Sequence, residues 1–484
     1  MTCANRIFSR MRPVIVWFRQ DLRLADNPAL VHAVQSGRPI ICVYVLDDET
    51  PKQWKWGGAS RWWLHGSLAS LSKHVADKGG RLILRRGRAD AVIEMLVSGS
   101  DAEAIFWNRC YEPFAIARDR KLKTSLAGKK VRVQSFNGSL LCEPWDVKTK
   151  TGGSYRVFTP FWRAARQTVS REKPHPVPSE IHFCESAIGS DKLEDWKLLP
   201  HEPEPDWASG LREMWTPGES AARDALRDFV DRLGKYPKGR DRPDRDYTSR
   251  LSPHLHWGEI SPRQVWHTVS AHHGSGSDKF LSEIGWREFS HHLLFHNPHL
   301  PEKALRQEFE KMAWRRDGKS FRAWTKGQTG IPIVDAGMRQ LWKTGWMHNR
   351  VRMIAASLLV KHLLIDWRHG EEWFWDTLVD ADLANNSENW QWVAGCGADA
   401  SPFFRIFNPV LQGEKFDPEG DYVRRYVPEL ANMPGSHIHR PWDAPADMLA
   451  EAGVRPGENY PKPIVDLDQG RKRALAAFQQ LRGS

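Results

Sequence analysis

Short continuous runs of apolar and β-branched residues mark the first 135 positions. They are VIVWF (Val14 to Phe18), IICVYVL (Ile40 to Leu46), RLILR (Arg81 to Arg85), AIFWN (Ala104 to Asn108) and VRVQSF (Val131 to Phe136). Apolar residues follow one another here rather than alternating with polar ones, the pattern of strands buried on both faces of a parallel sheet. In DNPALVHAVQSG the spacing predicts a helix with Asn27 at the N-cap, Pro28 at the first helical position and Gly37 just past the end. Strand and helix in alternation predict an α/β doubly wound parallel sheet domain over residues 1–135. No G-x-G-x-x-G or Walker A sequence follows a strand, so the sheet is not an obvious dinucleotide or ATP site.

The pattern then changes twice. Residues 136–205 contain REKPHPVPSE and LLPHEPEPDW, dense in proline and charge, and read as an interdomain linker running over the surface. Over 206–484 strands disappear and apolar residues recur three and four apart. GESAARDALRDFVDRL, SDKFLSEIGWREFSHHLLF, VDAGMRQLWKTG, NRVRMIAASLLVKHLLIDW and GEEWFWDTLV all predict helices, and together an all-α C-terminal domain.

Composition adds direction to this outline. The chain of 484 residues carries 24 Trp against 8 Tyr, and 15 of those Trp fall in the helical region. Stacking on planar ligands, or moving electrons between rings, would favour such a bias. Lys and Arg exceed Asp and Glu by 70 to 59, a net charge of +11, which suits a polyanionic partner because each neutralised phosphate releases counterions. The six cysteines (Cys3, Cys42, Cys110, Cys142, Cys184, Cys396) form no C-x-x-C pair, so neither a zinc site nor a disulfide framework is indicated. No run of 18 apolar residues exists, and the opening segment has Arg6, Arg10 and Arg12 but no apolar signal region. The expectation is a cytoplasmic protein with no membrane partner.

Four stretches carry candidate chemistry. Between Tyr236 and Arg263, alternating charges lead into Thr248, Ser249 and Ser252 just before Pro253. Hydroxyls and backbone amides at such a helix entrance can hold a phosphate, or simply form a solvated, capped loop. In FLSEIGWREFSHH, Glu283 and Arg287 stand four apart, either a surface pair worth about 0.2–0.5 kcal/mol or a Glu283 whose burial would raise its pKa toward proton donation. His291, His292 and His296 lack the partners that would complete a metal site and read as structural. GWMHNRVRM is either an amphipathic helix sending Arg350 and Arg352 to solvent or a pocket wall with Asn349 and Met353 on one face. DADLANNSENWQW could be an exposed acidic loop, a helix start capped by Asn386 or Ser387, or two core tryptophans. Asp380 and Asp382 alone offer too few oxygen ligands for Mg²⁺, and no metal is expected.

Together VIVWFRQDLRLADNPAL, TSRLSPHLHWGEIS, WREF, TGIPIVDAGMRQLWKTGWMHNRVRM, DADLANNSENWQW and FFRIFNPVLQGEKFD resemble, in order and over nearly the whole chain, the photolyase and cryptochrome family. The resemblance is nearest to the cyclobutane pyrimidine dimer DNA photolyases of the bacterial branch related to plant cryptochromes. It implies an N-terminal α/β domain, a long linker, and a helical domain binding FAD in a bent shape. Carried over by position, Tyr236, Thr248, Ser249, Arg250, Leu251 and Ser252 match flavin-binding positions around the phosphates, with Arg287 close by. Arg352 and Asp380 match the ion pair beside the isoalloxazine, Asp382 a second flavin contact, and Asn386 the amide facing N5. Glu283, Trp286, Asn349, Met353 and Trp392 match the pocket for damaged bases, and Arg240, Arg350 and Gln412 match DNA contacts. Trp390, Trp367 and Trp314 match the rings that carry an electron from the surface to the flavin.

The implied activity is light-driven repair of cyclobutane pyrimidine dimers in UV-damaged DNA by a monomer using reduced FAD. A plant-type cryptochrome sensor presents Asp where Asn386 stands, and a (6-4) photolyase has a histidine pair where Asn349 and Met353 stand, so cyclobutane repair is favoured over both. Phe280 replaces a Trp of many bacterial relatives, and Ala381 the Gly of their D-G-D. NRCYEPFAIARD (Asn108 to Asp119) lacks the Asn-Glu pair with which some of them hold a pterin. With SRWWLHGSL (Ser60 to Leu68) it is closer to plant cryptochromes. A folate antenna, methenyltetrahydrofolate, is compatible with these stretches, as is a deazaflavin or none, and no antenna contact is assigned.

Overall fold

The computed structural model describes residues 11–170, 172–185, 188–200, 205–399 and 404–483, so Cys3, Arg6 and Arg10 lie outside the described residues. The chain separates into two compact units. The first comprises Met1–Ala208, Trp215–Asp231 and Ser249–Pro298; the second comprises Ser209–Met214, Arg232–Thr248 and His299–Ser484.

Five strands build the sheet of the first unit: β1 (Val14–Phe18), β2 (Ile40–Leu46), β3 (Leu82–Arg86), β4 (Ala104–Asn108) and β5 (Arg132–Phe136). Their order is β3-β2-β1-β4-β5, all pairs parallel, with Val16 of β1 opposite Cys42 of β2 and Phe106 of β4. The continuous apolar runs are explained by burial on both faces, every residue of β1, β2 and β4 being buried. β3 and β5 begin one residue later than the pattern predicts, because Arg81 and Val131 lie outside the ladder.

The helix α1 (Pro28–Gln35) starts as the sequence indicates, with Asn27 accepting from the Leu30 amide and Gly37 at φ +65 beyond the end. Helices α2 (Gly58–Asp77), α3 (Ala89–Gly99) and α4 (Pro113–Gly128) complete the alternation. One core cluster joins Ile15, Trp17, Val43 and Ile105 of the sheet to Ile93, Leu96 and Val97 of α3 and Leu122 and Leu126 of α4. Each such aliphatic side chain contributes roughly 1.5–3 kcal/mol.

The proline-rich segment after β5 is less of a free linker than its composition suggests. Its stretch around Phe158 forms an eleven-residue helix, α5 (Phe158–Thr168), because Phe158, Phe161, Trp162 and Ala165 make one apolar stripe. Phe183 pairs with Ile40 in a parallel bridge. The buried Glu288 carboxylate accepts from the Leu141 amide at 2.8 Å and the Cys142 amide at 3.3 Å, tying the segment's start to a helix far along the chain.

The helices that bear candidate residues are α6 (Ser252–His256) and α7 (Ser275–His296) in the first unit. In the second they are α8 (Pro332–Thr344), α9 (Asn349–Ser357), α10 (Trp367–Thr377), α11 (Leu383–Ala394) and α12 (Pro409–Phe416). The predicted helix over NRVRMIAASLLVKHLLIDW is interrupted: α9 passes into a π-turn at Leu358–His362, and Asp366 then caps α10 by accepting from the Arg368 amide. No helix among the described residues is long and apolar enough to cross a membrane.

Candidate functional site

In the first unit, the loop from Ser249 into α6 is held in a fixed, unusual shape. Arg250 has φ +52, a left-handed conformation, and Ser249 Oγ accepts from the Leu251 amide at 3.3 Å. Such conformations cost about 1–3 kcal/mol and persist only where neighbours enforce them. Further along, Glu259 is fully buried, and its carboxylate pairs with the His254 ring and accepts from Trp63 Nε1 (3.1 Å), the Ser67 hydroxyl and the Gly218 amide (2.6 Å). Gly258, at φ +65, packs its Cα so tightly against Asp21 that an added Cβ would lie 2.6 Å from the Asp21 Cα. Leu251 is buried and Ser252 exposed.

On α7 of the same unit, Glu283 and Arg287 do not pair with each other. Glu283 lies 3.3 Å from Lys279, one turn earlier, with its side chain 26% exposed, so of the two readings neither the pair with Arg287 nor deep burial of Glu283 is observed. Arg287 turns the other way, donating to the Ser139 carbonyl at 2.9 Å and lying 3.3 Å from Glu288. Trp286 stacks flat on Phe158 with centroids 3.8 Å apart. His292 and His296 both contact the Pro144 carbonyl, and His292 also accepts from the Tyr155 amide, which accounts for these two rings structurally.

In the second unit the candidates of α9 and α11 come together. Arg352 does not extend into solvent: its Nη2 donates to both oxygens of Asp380 (3.1 and 2.9 Å) and its Nε to the Met347 carbonyl (2.7 Å). With the Asp380 carboxylate 4% exposed, breaking the pair would cost about 3–5 kcal/mol. Neither Asn386 nor Ser387 caps α11. Asp382 does, accepting from the Asn385 amide at 2.8 Å and from its side chain at 2.6 Å. One helical turn after Asp382, Asn386 Nδ2 donates to the Glu371 carbonyl at 3.0 Å, which leaves its Oδ1 as the free acceptor.

Arg350 likewise stays on the protein, lying 3.0 Å from Asp241, 3.8 Å from the Met353 sulfur and over the Phe416 ring. Arg240 sits over the buried Tyr236. Asn349 is exposed at the first position of α9, Gln412 half-buried on α12 and Trp392 half-buried on α11. Thr248 is half-buried. Trp390 is buried against Gly370 of α10, the helix that Trp367 begins. Trp314 is half-buried beside Met312, Leu364 and Phe404.

Two neighbours of these residues escaped the sequence reading. Glu371 is completely buried, receives the Ser387 hydroxyl, leaves Oε2 without a hydrogen-bond partner, and burial holds its carboxyl well above the usual range. The stripe Trp367, Gly370, Glu371, Phe374, Trp375 placed it inward, but GEE looks like an exposed acidic pair. Trp324, fully buried, stands 6.1 Å from Trp390.

A separate recess opens at the carboxyl ends of β1, β2 and β4, where the strand order reverses and doubly wound sheets bind ligands. Trp17, Arg19, Tyr44, Trp54, Trp56 and Phe114 line it, and the Trp17 indole N–H has no partner.

Comparison with known proteins now bears on both units. A DNA photolyase model matches residues 14–179, and a model of the FAD binding domain of DNA photolyase matches residues 280–480. The deoxyribodipyrimidine photo-lyase of Agrobacterium fabrum is 54% identical over 471 residues, covering 96% of this chain and 97% of that protein. The chain belongs to the DNA photolyase/cryptochrome family. Cryptochrome-1 of Arabidopsis thaliana is 40% identical, over 96% of this chain and 70% of its own length. Among solved structures, a bacterial class III photolyase from Agrobacterium tumefaciens superposes with a TM-score of 0.94 at 54% identity, covering 98% of each chain. An archaeal photolyase from Sulfolobus tokodaii, described with two FAD molecules, has a TM-score of 0.80 at 31% identity, over 97% of this chain and 100% of that one.

As in the rest of the photolyase family, the helical region is an FAD-binding domain. The residues present fit that cofactor. A flavin ring edge offers both N–H donors and carbonyl acceptors, and Arg352, Asp380 and the unoccupied Oδ1 of Asn386 supply the complementary groups, each of the last two only 8% exposed.

Proposed function

We propose that this protein is a deoxyribodipyrimidine photolyase that repairs cyclobutane pyrimidine dimers in DNA under light. Fully reduced FAD, when bound, supplies on illumination the single electron that opens the cyclobutane ring and then takes it back. The chain's residues do the remaining work. Tyr236, Thr248, Ser249, Arg250, Leu251, Ser252 and Arg287 are the residues that would hold the cofactor's phosphates. Arg352 and Asp380 fix the ring with one positive and one negative group, and Asp382 contributes a further contact. Asn386 presents an amide oxygen rather than a titratable carboxylate at N5, so the protein adds no charge there. That amide, oriented by the Glu371 carbonyl, is the observation that carries the reading.

Arg240, Arg350 and Gln412 engage DNA phosphates, and Trp286, Asn349, Met353 and Trp392 are the residues that receive the dimer once it turns out of the stack. Weakened stacking of the fused bases lowers the cost of that step. Glu283 hydrogen-bonds the dimer where negative charge develops as the electron arrives. Trp314, Trp367 and Trp390 would carry electrons inward from the surface. The aromatic recess at the carboxyl ends of β1, β2 and β4 suits a planar antenna chromophore, a folate or a deazaflavin.

The test is incubation of the purified flavoprotein with an oligonucleotide holding one cyclobutane thymine dimer, under blue light and in darkness. Loss of the dimer in light alone is expected. Retention of the dimer in both arms, with flavin bound, would move the assignment to a light sensor.

A further inference from the structure

The charge run RDRPDRD (Arg240 to Asp246) resolves into distinct ion pairs. Asp246 meets Arg232 at 3.2 Å, and Asp244, its carboxylate 1% exposed, meets Arg242 at 2.6 Å and Arg245 at 2.9 Å. These pairs fasten the loop to itself and its own flank. Asp241 differs, because it reaches across to α9. Its Oδ1 lies 3.0 Å from Arg350 Nη2 and 3.8 Å from Arg240 Nε, so both arginines converge on one oxygen.

The geometry around this carboxylate is ordered in depth. Arg350 is 19% exposed with its guanidinium 4.4 Å from the Phe416 centroid, and Arg240 is 14% exposed with its guanidinium 5.6 Å from the Tyr236 centroid. Asp241, at 36%, is the outermost of the three. Two guanidinium groups brought this close repel unless an anion sits between them, and aromatic faces below fix their planes. In the free protein that anion is Asp241. A DNA phosphate approaching from solvent meets the same two donors and competes with it.

We propose that Asp241 is a positioning residue that holds Arg240 and Arg350 as a ready-made phosphate fork and, by cancelling one of their two charges, suppresses binding of DNA that carries no lesion. The proposal rests on reading both arginines as DNA contacts. Undamaged duplex offers the fork only phosphates, so it bears the competition with Asp241 in full. Dimer-containing DNA adds contacts of the everted bases, which are independent of the fork, and overcomes it. Asp241 thereby lowers affinity for the backbone of either duplex by the same factor, and only the duplex with everted bases keeps enough contacts to stay bound.

The experiment uses flavin-loaded protein and fluorescence anisotropy on duplexes with and without one cyclobutane dimer, titrated across salt concentration. Asp241→Asn is expected to bind undamaged DNA about threefold more tightly or better, with a log K against log salt slope steeper by up to about 0.9. Affinity for dimer-containing DNA should rise by a similar factor, leaving the preference unchanged, and Asp241→Glu should restore both affinities. Wild-type slopes and affinities in Asp241→Asn would overturn the proposal, as would equal loss of affinity for both duplexes, the mark of a purely structural role. Bound-flavin absorbance checks folding, and Asp241→Ser serves as the second charge deletion should Asp241→Asn lose flavin. Arg350→Gln separates the two levels of the argument. If it leaves DNA binding unchanged, the contact reading itself falls; if it weakens binding while Asp241→Asn behaves as wild type, only the role of Asp241 falls.

Discussion

Gly370 lies where any side chain would strike the inner tryptophan. A methyl built on its backbone would stand 2.5 Å from Trp390 Cζ3 and 2.6 Å from Cζ2, and nearer still to Cη2. The ring has little room to retreat, because Phe374 (5.0 Å, near-perpendicular) and Trp324 (6.1 Å) flank it. Restoring ordinary contact distance requires a shift of about 1 Å in a close-packed interior. Overpacking of this kind costs about 1–3 kcal/mol, against which alanine's helix propensity returns about 1 kcal/mol. Gly370→Ala is therefore expected to lose up to about 2 kcal/mol net, a fall in Tm of up to about 8 °C. Photoreduction of the oxidised flavin should slow, while chemically reduced enzyme should still repair dimers. Thermal melting of the flavin-loaded protein and absorbance under illumination provide the readouts. A double-mutant cycle isolates the contact. Trp390→Phe removes the benzo carbons that the methyl meets, so in that background Gly370→Ala should be neutral or stabilising, giving a coupling of about 1–3 kcal/mol. An equal penalty in both backgrounds, or wild-type melting and photoreduction in Gly370→Ala, would refute the reasoning.

Glu283→Ala should leave flavin content unchanged and stability altered by less than about 1 kcal/mol, since the pair lost with Lys279 is part-exposed. Repair per absorbed photon should fall, and an unchanged quantum yield would remove Glu283 from the chemistry. Asn386→Asp places a carboxylate where the amide oxygen stands, and absorbance under illumination with a reductant should show flavin that stops short of full reduction. Acid should destabilise the fold from about pH 6.5 downward through buried histidines. Burial pushes His292, His348 and His362 down to about 4, below the unfolded value, so the folded state stays neutral while the unfolded chain takes up protons. Stability from each is intact above about pH 6.5 and declines by on the order of 2 kcal/mol by pH 5. Urea midpoints in wild type and His292→Gln across that range check it, the variant being expected to lose less on acidification.

Local pattern by itself determined the elements. Continuous apolar runs marked five strands, Asn27 and Pro28 marked a helix start, and the three-and-four spacing marked the helical half, because burial on one or both faces is written directly into residue order. Motif order marked the flavin-binding family and named Arg352, Asp380 and Asn386. Tertiary structure decided which partner each polar group meets. Glu283 met Lys279 rather than Arg287, and Arg287 met a carbonyl 148 residues away. Asp382 rather than Asn386 took the cap, which left the Asn386 amide to be oriented by Glu371 from another helix. The proline-rich stretch hid a helix whose stripe found its apolar complement on α7. Periodicity specifies which face is turned inward, whereas a buried charge or amide is satisfied by whatever the packed neighbour presents, and that neighbour comes from elsewhere in the chain.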